Sequence, residues 1–211
     1  MSPEATGPLR VGFVPGVTLT KWRTRWAERV RARLEVTEIA QADARDLLDA
    51  GELDMCFVRL PVDRTGLHAI PLYDETMVAW VGKEHPIAAF DEISTTDLAD
   101  ETVLDEPTQV AIDRVNAGAV LLVPMSVARS ASRRDLVYRP VTDAESVTVA
   151  LIWPTGADDP LIEEFIGIVR GRTANSSRTV RERAPQKPTR SRGRASGTGK
   201  PSTPRRRRGR R

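Results

Sequence analysis

Residues 171–211 hold 13 Arg and 2 Lys against a single acid, Glu182, for a net charge of +14, whereas residues 1–170 hold 17 Lys and Arg against 28 Asp and Glu, for a net charge of −11. A single compact domain rarely segregates charge in this way, so the sequence divides into an acidic folded body and a basic appendage, each with its own role. Between Gly171 and Arg211 there is no Phe, Tyr, Trp, Leu, Ile or Met, and Val180 is the one sizeable aliphatic residue. Nothing there offsets an ordering cost of about 1–2 kcal/mol per residue. Pro185, Pro188, Pro201 and Pro204, with Gly193, Gly197, Gly199 and Gly209, interrupt any helix that Arg would favour. The appendage is expected to be a disordered arm.

Inside a cell such an arm meets DNA and RNA, and the guanidinium fork suits phosphate oxygens. The candidate contacts are Arg190, Arg192, Arg194, Arg205, Arg206, Arg207, Arg208, Arg210 and Arg211. No aromatic residue accompanies them, and base stacking is what single-strand readers add to charge, so the expected binding is to phosphate with little sequence preference. A merely solubilising arm is the alternative reading.

The body is long enough for one substantial core or two small lobes. Met1–Pro8 has no basic stretch followed by an apolar run, and no segment reaches 18 apolar residues, so neither a signal peptide nor a membrane span is expected and a cytoplasmic location is. With Cys56 as the only cysteine, an internal disulfide and a cysteine-based metal cluster are excluded. No cofactor motif, zinc spacing or nucleophile elbow is present, which argues against an enzyme.

Strand and helix signals alternate through the body. Leu9–Val14 reads as a strand turned by Pro15-Gly16. Leu19, Trp22, Trp26, Val30 and Leu34 recur at helical spacing, with Thr18 or Thr20 as N-cap. A strand over 35–40 follows, then a helix over 43–50 that Gly51 terminates, then the apolar run 55–60, giving a parallel βαβαβ unit. Strands are expected at 68–72 and 76–81, and Ser94-Thr95-Thr96-Asp97 has the form of a capping box opening a helix. Beyond it come a short strand at 102–104, a helix at 110–116 stopped by Gly118, and strands at 119–123, 136–139 and 147–153. Asp159-Pro160 starts a final helix whose apolar face is Leu161, Ile162, Phe165, Ile166 and Val169.

The segments Leu9-Arg10-Val11-Gly12, Gly51-Glu52-Leu53-Asp54-Met55-Cys56-Phe57-Val58, Pro71-Leu72-Tyr73-Asp74-Glu75 and Lys83-Glu84-His85-Pro86-Ile87-Ala88, in that order, resemble the effector-binding domain of LysR-type transcriptional regulators. The order continues through 115–124 and 137–141 to the closing strand and helix, so the resemblance covers about 9–170. It implies an α/β fold of the two-lobed periplasmic-binding-protein type II kind, with a small-molecule cleft between the lobes. The expected organisation is an N-terminus without structure over 1–8, a first lobe over 9–81 and 150–170, a second over 82–149, and the arm at 171–211. The family places a winged helix-turn-helix ahead of this domain, yet only eight residues precede the first strand here. About ten residues separate Leu104 from Val115, where the family has a further strand and helix, so a shortened second lobe is expected.

The resemblance and the topology place a ligand at strand C-termini facing the lobe junction. The candidates are Gly16, Thr18, Thr20, Gln41 and Arg59, which together favour a small anionic effector, because helix N-termini and a guanidinium attract carboxylate or phosphate. His68, His85 and Cys56 are read as structural, and Asp43, Asp46 and Asp49 as a solvated helix face. No metal is expected. The reading is a transcription-related regulator with a nucleic-acid-contacting arm; the alternative is a dimerisation module, pairing with itself or with a full regulator and holding no ligand.

Overall fold

The computed structural model describes residues 7–131 and 133–171; the expectations for the arm and for residues 1–6 fall outside the described residues. Two sheets organise the body. The first has the order β2-β1-β3-β9-β4. Its strands are β1 (Leu9–Phe13), β2 (Leu34–Glu38), β3 (Met55–Arg59), β4 (Leu67–Glu75) and β9 (Val147–Pro154). β1 pairs in parallel with β2 and with β3, as the βαβαβ reading requires, whereas β9 runs antiparallel between β3 and β4. β4 lies on the sheet edge, where a proline is tolerated: Pro71 stands opposite Ala150 of β9, and the register shifts between Pro71 and Tyr73.

Helix α1 (Thr20–Arg29) covers this sheet together with α5 (Pro160–Val169). Trp22 stacks on Phe57 with ring centroids 4.7 Å apart, and Phe165 meets both Trp26 and Phe57 edge-on at 5.7 and 6.1 Å. Large aromatic faces thus seal the helix layer onto a strand buried along its length. α1 differs from expectation at both ends. Its cap position is the buried Leu19, with no side-chain bond, and Thr20 is already helical, so neither threonine caps. It stops at Arg29, because the Trp26 indole N–H donates to Ala32 O at 2.8 Å and draws the chain into an extended path, which places Leu34 in β2. Between β2 and β3, a 3-10 turn at Gln41–Asp43 leads into α2 (Ala44–Asp49), and Gly51 leaves it at φ 66°. Asp159 and Pro160 open α5 as expected, the Asp159 carboxylate accepting from the Leu161 N–H.

The second sheet has the order β6-β7-β5-β8. β5 (Met77–Gly82) is its central strand, joined by β6 (Val103–Leu104), β7 (Val120–Pro124) and β8 (Leu136–Pro140). Alternate β5 residues face two cores, Val78 and Trp80 toward α3 (Gln109–Asn116), Ala79 and Val81 toward Ile87, Ile93 and Leu98. The chain therefore leaves the first sheet at Thr76 rather than after residue 81, and returns with Val147. An apolar run such as Met77–Val81 suits either sheet, and pairing decides the matter. The Ser94–Asp97 box forms as predicted, with the Asp97 carboxylate accepting from Ser94 N–H and Oγ at 2.8 Å, but it opens a 3-10 turn, Thr95–Leu98, rather than an α-helix. One further helix, α4 (Met125–Ser130), follows β7 directly.

Candidate functional site

Where the two sheets meet, a cleft of about 550 Å³ opens between the loop after β1, the end of β4 and helix α4. Gly16, Thr18, Tyr73, Asp74, Glu75 and Thr76 line it from the first lobe, and Met125, Ser126, Arg129 and Ser130 from the second. Of the five residues expected at a ligand site, Gly16 and Thr18 line this cleft. Thr20 lies instead in a groove beside α1 with Arg23, Trp26 and Leu34.

Arg59 sits at the lobe junction but is already engaged. Its Nε donates to Glu75 Oε2 at 2.8 Å, and one terminal nitrogen donates to Pro15 O at 2.8 Å and to Ser126 Oγ at 3.1 Å. The two ionic side chains are only 14% and 5% exposed, so screening by water is slight and Glu75 neutralises the charge that was expected to attract an anion. Gln41 also turns inward: its Oε1 accepts from the Arg59 N–H at 3.0 Å and its Nε2 donates to Arg59 O at 2.7 Å. A side-chain amide thereby completes the hydrogen bonding of the last residue of β3, as a neighbouring strand would.

Gly16 has φ 88°, and a Cβ there would stand 2.7 Å from Ser126 Oγ and 2.8 Å from Val127 N. Only glycine allows the loop after β1 to approach α4 so closely.

The cleft residues from the second lobe gave no signal of their own in the sequence. α4 is six residues long and follows Pro124, which reads as the end of a strand. Arg129 brings a cation to the cleft without a carboxylate partner: its Nε donates to the Tyr138 hydroxyl at 3.2 Å, its guanidinium lies 5.9 Å from the Tyr138 ring centre, and it meets no carboxylate at ion-pair distance among the described residues. Asp74, also exposed, accepts from Thr148 Oγ1 at 2.6 Å.

The remaining sequence candidates are accounted for by local contacts. His85 Nδ1 accepts from the Ile87 N–H at 3.2 Å, its Nε2 lies 3.4 Å from Glu101, and His68 packs on Trp153. Cys56 is fully buried in β3, and burial pushes its thiol up to about 12. Asp49 pairs with Arg45 on the exposed face of α2. Among the described residues, no group of three His, Cys, Asp or Glu side chains could hold a metal ion, and no helix is long and apolar enough to cross a membrane. The nine candidate arginines of the arm lie outside the described residues.

Comparison with known proteins agrees with this architecture. The family model for the LysR substrate binding domain matches residues 2–116. The transcriptional regulator MetR of Salmonella typhimurium is 32% identical over 94 residues, which span 42% of this chain and 30% of the regulator. A hydrogen peroxide-inducible genes activator of Pectobacterium carotovorum is 26% identical over 213 residues, spanning 84% of this chain and 67% of the activator. The chain thus aligns with under a third of the first relative's length. Among solved structures, the BenM effector binding domain with its effector benzoate superposes with a TM-score of 0.65 at 19% identity, covering 82% of this chain and 95% of that one. The two-sheet architecture is that of LysR effector domains, and the chain belongs to the LysR substrate binding domain family.

Proposed function

We propose that the body is a non-enzymatic sensor within a transcription regulator, taking a small anionic effector into the cleft between its lobes. The observation that carries this reading is the cleft itself, to which both lobes contribute and where Arg129 presents a guanidinium with no carboxylate partner among the described residues. Ligands bridging two lobes bind at such junctions because closure buries them from both sides. Arg129 replaces Arg59 as the anion-binding group, since Glu75 occupies Arg59. The benzoate of BenM is itself a carboxylate.

A thiol-based response to peroxide does not fit these residues. Cys56 is the only cysteine, it is fully buried, and its thiol is held protonated at neutral pH. The arm supplies sequence-tolerant nucleic-acid contacts through Arg190, Arg192, Arg194, Arg205–Arg208, Arg210 and Arg211, and the protein works in the cytoplasm, as a homodimer or with another regulator.

Thermal unfolding of the full chain with a panel of small mono- and dicarboxylates tests the cleft. A bound acid at 100 times its dissociation constant adds about 2.7 kcal/mol, and Arg129→Ala removes that gain. If no acid stabilises the protein, the reading as a ligand-free dimerisation module takes its place.

A further inference from the structure

Gly16 and Ser126, which line the cleft described above, also take part in a set of lobe-to-lobe contacts that no ligand is needed to explain. Arg59 belongs to the first lobe, and so do its partners Glu75 and Pro15. Its bond to Ser126 Oγ is different, because Ser126 belongs to α4 in the second lobe. On the same spot Gly16 presses its bare Cα against Ser126 and the Val127 N–H. The Met125 N–H, one residue away, donates to O of Thr76, the residue where the chain passes between the sheets.

We propose that Arg59, Gly16 and Ser126 form a latch that holds the two lobes in their closed relation without an effector, and that the cleft opens and closes by making and breaking it. Three features suit this role. Arg59 cannot swing away with the second lobe, because Gln41 grips its backbone and Glu75 its Nε, so it stays as a fixed post on the first lobe. Among the described residues, the one polar link from Arg59 across the junction is a hydrogen bond to a neutral hydroxyl, which makes a reversible catch rather than a permanent weld. The catch also lies beside the Thr76 crossover, where a small separation is magnified toward the far rim of the cleft.

The latch makes Gly16 and Ser126 determinants of lobe position, independent of which molecule enters the cleft. Removing the Ser126 hydroxyl leaves the Arg59–Glu75 pair intact and shifts the equilibrium toward open by about tenfold. A methyl at Gly16 acts as a wedge, since its Cβ would stand 2.9 Å or less from α4 backbone atoms.

The test is the distance between spin labels on the full chain, one at Glu28→Cys on α1 and one at Asp113→Cys on α3, both exposed positions. The native Cys56 is buried and does not label. The expected result is one narrow distance distribution for the parent and a second, longer population in Ser126→Ala and in Gly16→Ala. Cooperative melting of each variant confirms that it is folded, and if Gly16→Ala does not fold, Ser126→Ala alone decides. A Ser126→Ala distribution that coincides with the parent's overturns the latch.

Discussion

Arg59 Nε and Glu75 Oε2 lie 2.8 Å apart in surroundings that leave only 5% of the glutamate side chain exposed, the sole charged residue among the fully buried ones described. Removal of one partner strands the other charge in a poor solvent. Glu75→Ala is expected to lower the unfolding free energy by about 3–5 kcal/mol, and the double change Arg59→Met with Glu75→Leu to recover much of that loss, because two apolar side chains leave no uncompensated charge. Urea denaturation of the three proteins measures this, and a double variant as unstable as Glu75→Ala would show that geometry, not charge, is what the pair supplies.

The Cys56 thiol is expected to resist chemistry in the native state. It has no exposed surface, and burial raises its pKa to about 12, so almost no thiolate is present at pH 8. An aromatic disulfide reagent should modify the unfolded chain within minutes and the native chain only at the rate of opening. Rapid modification under native conditions would contradict the buried placement.

Acid should weaken the 3-10 turn that opens the second lobe's cover. Hydrogen bonds from Ser94 hold the Asp97 carboxyl below its ordinary range, and those from Thr95 do the same for Asp143. Each folded pKa lies below the unfolded one, so the contribution is present above the ordinary carboxylate range and is lost as pH falls through the lower, folded values. Both groups are well exposed, so the effect is modest. Asp97→Asn should therefore flatten the acid limb of a stability-versus-pH curve, and an unchanged limb would remove Asp97 from this account.

For the arm, about eight arginine–phosphate contacts predict a log-log salt slope near −7 on duplex DNA, and deletion of residues 171–211 should abolish binding. The truncated body should also melt within about a degree or two of the full chain, because the arm offers almost no apolar surface to bury. DNA affinity that survives truncation would transfer the contact to the body.

Much of the fold was legible in the residues because the signals were local. Asp159-Pro160, the Gly51 stop and the apolar run of β3 act within a few positions of themselves. The end of α1 was not legible, since Leu34 keeps the helical spacing and the interruption comes from one indole bond to Ala32. The site was half legible. Gly16 and Thr18 follow from topology and line the cleft, whereas the contacts of Arg59 turn on Glu75 and Ser126, which lie 16 and 67 residues away along the chain. Composition cannot show such pairings, and α4 was too short for periodicity to reveal.

The position of β9 between β3 and β4 also orders events during synthesis. Residues 77–140 supply the whole second sheet from one continuous stretch, so all four of its strands are synthesised before β9. β4, by contrast, pairs among the described residues with β9 alone, and Phe165 of α5 completes the aromatic cluster only afterwards. A growing chain can thus assemble its second lobe while the first remains an unclosed sheet, and the last residues to leave the ribosome before the arm are the ones that finish the domain begun at Leu9.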